Sequence, residues 1–247
     1  MSALEELTVG EIVTDDFRTA GVFKKYGLDF CCGGKKKLSD ACERKGLDLD
    51  LLLADIDRLS QKDTNEHNYK EWSPSFLVDY IINNHHHFVR RKFPEIKSYA
   101  NKVAKVHGKS YPVLNEMLGT FLILKDEMLS HLDAEEKILF PYIKKMENAM
   151  AAGSKPLSNE DTGGSNNGTA AQAITMMEQE HDDAGNLMAK LEEMSEGFSA
   201  PEDACTTFRV YFQNLEAFRD DLHKHVHLEN NILFPKALDM EKGFRNN

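Results

Sequence analysis

Eleven residues are written almost twice in this chain. "HLDAEEKILFP" fills positions 131–141, and "HVHLENNILFP" fills 225–235, 94 residues further on. Each copy sets a histidine four residues ahead of a glutamate and closes on Ile-Leu-Phe-Pro. On an α-helix, residues four apart sit one turn above each other on one face. A His-x-x-x-Glu pair can therefore aim an imidazole nitrogen and a carboxylate at one point. A single pair is as ordinary as any charged pair on a solvated helix. Two with a shared apolar tail require the chain to build one helical arrangement twice.

The likeness continues upstream, where "NNHHHFVR" precedes the first copy and "EQEHDDAG" the second. Setting His86 against His181 gives an offset of 95, close to the 94 of the pairs His131/His225 and Glu135/Glu229. Each half then reads as a helix with one histidine, a turn, and a helix with His-x-x-x-Glu. Two histidines and one carboxylate with open positions are the ligand arithmetic of non-haem iron(II) sites, although manganese or zinc could use similar donors. Two such sets give four histidines and two carboxylates. That count suits two cations better than one, because carboxylates can bridge a metal pair and offset its repulsion.

The remainder of the chain agrees with a helical frame. Residues 1–60 read as a small helical domain, with short helices in "DDFRTAGVFKKYGLDFCCGG", "LSDACERKG" and "DLDLLLADIDRLS". Residues 61–73 are polar and aperiodic and read as a linker. From 74 to 247 four helical stretches follow, the first opening at Ser-Pro. "SKPLSNEDTGGSNNGTA" has the composition of a flexible loop between the second and third. The fold class is all-α: a four-helix bundle with a small N-terminal helical domain.

Composition narrows the function. A formal charge of −11 argues against general binding of nucleic acid or an anionic membrane. No apolar run is long enough to span a bilayer, and the N-terminus lacks a secretory pattern. Four cysteines, two of them adjacent, are no secreted disulfide framework, so the expected compartment is the reducing cytoplasm. No phosphate-binding glycine loop, serine-hydrolase elbow or zinc-finger spacing occurs.

The paired "H-x-x-x-E…LFP" segments, "HDDAG" and the N-terminal "DFCCGG" together resemble the iron–sulfur cluster repair di-iron proteins, hemerythrin-like bundles with a small cysteine-bearing domain. The resemblance covers nearly the whole chain. It implies His86, His131, Glu135, His181, His225 and Glu229 as metal ligands. It also selects His86 from the run His85–His87, by way of "DYIINNHHH". It further implies two iron ions bridged by both glutamates and an oxo-type ligand. The implied activity is repair of iron–sulfur clusters damaged by nitric oxide or peroxide, by iron donation. Partners would be damaged iron–sulfur proteins or a cluster scaffold, and small diatomic ligands such as NO and O2; some members are dimers. Two other activities suit the same ligands: reduction of NO or peroxide at the metal pair, and reversible O2 or NO binding.

Several neighbours carry weaker signals. Cys31 and Cys32 precede two glycines and "KKK", so the pair is expected on an accessible turn with thiol pKa values lowered by lysine. As the resemblance implies, they form a working thiol pair. Cys42 and Cys205 read as packing residues. His85, His87, His223 and His227 flank the candidate ligands and read as surface residues or outer partners, while His67 and His107 carry no signal. Glu127 and Asp221 lie four residues before a candidate ligand histidine, and Glu180 directly before His181. Each could hold the outer nitrogen of an imidazole. The Phe-Pro steps at 140–141 and 234–235 read as bends or ends of helices.

Overall fold

The structure is a computed structural model describing residues 3–60, 68–153 and 169–245. Its named elements are helices; the described residues contain no strand beyond an isolated bridge between Thr8 and Lys37. The N-terminal domain holds α1 (Val9–Asp15), α2 (Thr19–Lys25), α3 (Leu38–Lys45) and α4 (Leu49–Ser60). Helix α1 is too short to announce itself by periodicity. Its marker is a capping box, with Thr8 accepting from the Glu11 amide and Glu11 accepting from that of Thr8. Gly46, at φ 62°, ends α3 in the left-handed conformation that suits glycine.

The bundle has four rods. The first is α5 (Pro74–Ile81), a π turn (Ile82–His86) and α6 (His87–His107). The second is α7 (Val113–Ala134), a π turn (Glu135–Leu139) and α8 (Phe140–Ala151). The third is the unbroken α9 (Ala170–Met194). The fourth is α10 (Thr206–Leu228), a π turn (Glu229–Leu233) and α11 (Phe234–Arg245). Ser73 caps the first rod through the Phe76 amide, with Pro74 at the first helical position as the sequence predicts. Helix α7 packs on α6 and α9, and α10 on α6.

The Phe-Pro steps do not end their helices. Each follows a π turn, where the Phe140 amide reaches back to the Glu135 carbonyl and the Phe234 amide to that of Glu229. The proline one residue later then sits in the first turn of the renewed helix, where its missing donor is tolerated.

Two apolar clusters sandwich the centre of the bundle. One contains Phe93, Phe121, Leu124, Met128, Leu132, Met188 and Phe218. The rings of Phe93 and Phe218 lie 5.0 Å apart. Truncating any of these phenylalanines to alanine would cost about 3–5 kcal/mol. The other cluster contains Leu77, Ile81, Phe140, Ile143, Met177, Leu233 and Phe234. Val9, Ile12, Phe23, Leu38 and Leu52 of the N-terminal domain belong to the first cluster, so that domain shares its core with the bundle.

Of the expected linker and loop, residues 61–67 (with His67) and 154–168 lie outside the described residues. Residues 68–73 are not a bare polar tether. Tyr69–Glu71 forms a 3-10 turn whose Tyr69 is buried against Trp72 and Phe17, ring centroids 4.8 and 5.9 Å away. Lys236 Nζ donates to the carbonyls of Lys70 and Trp72. The aromatic residues are too few to show a period, and only packing reveals their role. No described helix is long and apolar enough to cross a membrane.

Candidate metal centre

Between the two apolar clusters lie six polar side chains, one or two from each rod: His86, His131, Glu135, His181, His225 and Glu229. All six are buried, five of them with no measurable exposure. His86 Nε2 lies 3.1 Å from His225 Nε2, and His131 Nε2 lies 2.9 Å from His181 Nε2. Donor atoms of His86, His225, Glu135 and Glu229 gather within 4.8 Å of one another, as do those of His131, His181, Glu135 and Glu229. The same two carboxylates belong to both groups.

Three of the imidazoles have their outer nitrogen committed. His86 Nδ1 lies 2.8 Å from Glu136 Oε1, His131 Nδ1 2.7 Å from Glu180 Oε2, and His181 Nδ1 2.8 Å from Asn230 Oδ1. An imidazole donating from Nδ1 presents a lone pair at Nε2. The facing Nε2 atoms of His131 and His181 thus direct electron density at each other, an arrangement that a cation relieves, while His225 Nε2 lies 2.9 Å from Glu229 Oε1 as well as facing His86. Neither oxygen of Glu135 accepts a hydrogen bond, and Glu229 Oε2 and His225 Nδ1 also lack a partner. Leaving such buried groups unsatisfied costs about 1–3 kcal/mol each, more when charged. The donor set fits a pair of cations.

Charge states point the same way. Burial, then the charge of Glu229, pushes the Glu135 carboxyl well above the usual carboxylate range. Burial alone would raise Glu229 too, but His225, His181 and His86 outweigh it and hold that carboxyl well below its ordinary value. Of the two carboxyls, Glu135 is therefore the one that holds a proton more readily. Burial lowers His86 and His131, partly offset by their carboxylate neighbours. His225 is raised, because Glu229 outweighs the effect of burial. Neutral imidazole is the ligand form, which burial favours at His86 and His131 and the Glu229 charge disfavours at His225.

Comparison with known proteins agrees with this geometry. Residues 77–165 and 166–237 each match the family described as hemerythrin HHE cation binding domain, and residues 5–60 match a domain of unknown function, ScdA_N. The chain is 34% identical over 239 residues to the iron-sulfur cluster repair protein YtfE of Enterobacter sp. (strain 638), covering 96% of this chain and 98% of that protein. It is 33% identical over 236 residues to the protein of that name from Escherichia coli O81 (strain ED1a), with the same coverage. The chain belongs to the iron–sulfur cluster repair family. Its bundle is the hemerythrin-like cation-binding part of that family, as its two halves each match the HHE description.

The repair-family sequence pattern located the inner residues but not all of their supports. Glu180 holds His131 as expected. Asp221 instead lies 2.9 Å from His85 Nδ1, and Glu127 is exposed. Glu136 and Asn230 carry no signal in the sequence because each directly follows a glutamate of the inner cluster. In a regular α-helix that places a side chain about 100° away. The π turns starting at Glu135 and Glu229 change the phase, so successive residues serve one site from two sides.

The histidines flanking the six inner residues divide. His87 is exposed, but His85 is buried with its ring stacked 5.7 Å from that of His225. His227 is fully buried between Phe17 and Phe30, both centroids 5.8 Å away, and burial brings its pKa down to about 4. His223 is half-buried against Phe30. The N-terminal domain covers this face of the bundle, which a reading of the bundle alone leaves open.

The cysteine pair departs from expectation. Cys31 is buried, and its thiol is pushed well above its ordinary pKa by the Cys32 hydrogen bond, by burial and by Asp29. The lysines do not lower it: Lys35 pairs with Glu178 and Lys37 with Glu6. The loop folds around Asp29, whose carboxylate accepts from the amides of Cys31, Cys32 and Gly33. Cys32 Sγ lies 3.4 Å from the His181 carbonyl, so the thiols stand against the helix that carries one of the inner histidines. Both thiols line a cleft of about 780 Å³ between the N-terminal domain and the bundle. Cys42 packs in the core as expected, whereas Cys205 is exposed, its Sγ 3.2 Å from His107 Nε2.

Proposed function

We propose that this chain binds two iron ions through His86, His131, Glu135, His181, His225 and Glu229, and acts in repair of iron–sulfur clusters damaged by nitrosative or oxidative stress by giving up iron. The observation that carries this reading is the buried cluster itself: four imidazoles facing in pairs across two carboxylates, of whose four oxygens only Glu229 Oε1 has a hydrogen-bond partner, His225 Nε2. The names of its relatives support it. Bound iron would supply redox-dependent ligand affinity, the ferrous form being the more readily released.

The protein's own groups do the rest. Glu135 and Glu229 stand in both donor groups and are placed to bridge. Glu135 loses its proton as a cation enters, so loading should release protons to solvent. Glu136, Glu180 and Asn230 accept from Nδ1 and thereby fix the ring orientations. The apolar layers on both sides keep bulk water from competing for the inner nitrogens.

Cys31 and Cys32 are the working thiols in this reading. With Asp29 they form a second group of donors within 4.8 Å of one another, suited to holding iron or NO in transit. The clients would be damaged iron–sulfur proteins or a cluster scaffold, reached in the reducing cytoplasm where free thiols persist. The test is reactivation of an NO-treated [4Fe–4S] enzyme by protein loaded anaerobically with ferrous iron. Recovery of activity together with loss of iron from the donor is expected. Iron-loaded protein that neither restores the enzyme nor transfers metal to a scaffold rules the reading out.

A further inference from the structure

The residue after Asn230 has no part in the inner cluster, yet it makes more contacts with the N-terminal domain than a surface helix position needs. Asn231 Nδ2 lies 3.3 Å from the carbonyls of Phe30 and Cys31 and 3.1 Å from His227 Nδ1. Two glycines make room for it. A Cβ on Gly10 would overlap Asn231 Oδ1, and one on Gly34 would lie 3.0 Å from the same atom. Helix α1, which carries Gly10, packs against the π turn Glu229–Leu233. In the first half of the repeat the matching position is Lys137, which is exposed and pairs with Asp133 of its own helix. The amide is thus peculiar to the half that the N-terminal domain covers.

Three consecutive residues of one π turn consequently face three things. Glu229 faces the inner cluster, Asn230 holds His181, and Asn231 holds the cysteine loop. The loop has a second attachment on the same side, where the Cys32 thiol meets the carbonyl of His181. Both anchors of the cysteine loop are therefore on, or two residues from, a group of the cluster.

We propose that Asn231 is a positioning residue that couples metal occupancy to the seating of the Cys31–Cys32 loop. This rests on the reading that the six-residue cluster holds metal. Metal drawn in by Glu229 and His181 fixes the π turn and α9, and Asn231 transmits that order to the loop. Coupling is reciprocal, so a seated loop raises metal affinity by the same factor.

The test compares iodoacetamide labelling of Cys32 in full-length protein, chelated or loaded anaerobically with Fe(II), each cysteine followed by peptide mass spectrometry. Exposed Cys205 serves as the internal reference. In the unsubstituted protein, iron should slow Cys32 labelling about fivefold or more, the lower end of usual coupling between sites. In Asn231→Ala, at saturating Fe(II) and an unchanged iron content, the rate should be fast and most of its dependence on iron lost, only the Cys32–His181 contact remaining. Gly10→Ala, which displaces Asn231 from the other side of the interface, should repeat that behaviour. A merely structural role would speed both states equally and leave their ratio intact. The proposal is overturned if iron binds but does not slow Cys32, or if Asn231→Ala keeps the protection, as it would were iron simply sitting on the thiols. Failure of the unsubstituted protein to take up iron removes both the coupling and the metal reading, and is recognised by the metal content alone.

Discussion

The two halves of the bundle present the same inner residues and support them differently. In the first half, the outer nitrogens of His86 and His131 face carboxylates, Glu136 and Glu180, whose side chains are 28% and 43% exposed. In the second half, His181 faces the buried amide of Asn230, and His225 Nδ1 has no partner. The place beside His225 matching Glu180 is taken by His85, stacked on the ring and held by Asp221. The difference follows solvent. Charged partners occur where water can still reach them, and neutral ones where the N-terminal domain covers the bundle. A buried carboxylate there would carry a desolvation cost of several kcal/mol. Each donor group draws one histidine from either half, so the two groups share the inequality evenly.

The sharpest way to break this comparison is to remove each glutamate in turn. Glu135→Leu and Glu229→Leu should both lose most of the bound iron, read as metal per chain, since each carboxylate serves both groups. Their metal-free forms should diverge. Glu135→Leu removes an unsatisfied buried carboxyl and should raise unfolding free energy by about 1–4 kcal/mol. Glu229→Leu takes the counter-charge from His225, whose pKa Glu229 raises, and should lower it by about 3–5 kcal/mol. Equal changes in stability would show that the two carboxylates are equivalent after all.

The covered face should also announce itself in acid. The folded pKa of His227 is about 4, below its unfolded value near 6.5. Its contribution is therefore complete above pH 6.5 and is lost as pH falls towards 4, amounting to about 3 kcal/mol. His86 and His131, also lowered, act in the same direction. Metal-free protein should lose stability across that window, and His227→Phe should flatten part of the slope in denaturant titrations at several pH values. An unchanged slope would place the acid sensitivity elsewhere. On the exposed side, Glu136→Gln and Glu180→Gln should each weaken iron binding about tenfold in chelator competition, with little change in metal-free stability. Smallest of all, Lys137→Ala should shift stability by no more than about 0.5 kcal/mol and leave iron binding untouched. A larger effect there would undo the contrast with Asn231.

Much of the centre could be read before any fold was known. His131, Glu135, His225 and Glu229 were legible because a four-residue spacing has one meaning on a helix, and because it occurs twice. His181 followed from the repeat, and the choice of His86 among three histidines came from family resemblance. The supports were less legible. Glu136 and Asn230 lie next to inner glutamates, and no regular period directs neighbours to one site. The thiols misled because Lys35 and Lys37, close in sequence, are paired with acids distant in sequence, Glu178 and Glu6.

Local sequence by itself determined the helices, the two-fold plan and the paired His-x-x-x-Glu donors, since spacing sets side-chain direction along a regular α-helix. Tertiary structure alone decided where each π turn falls, which outer partner each imidazole receives, and that the N-terminal domain seals one half. Those outcomes depend on burial and on charges far apart in the chain, and desolvation can be assigned only once it is known what covers what.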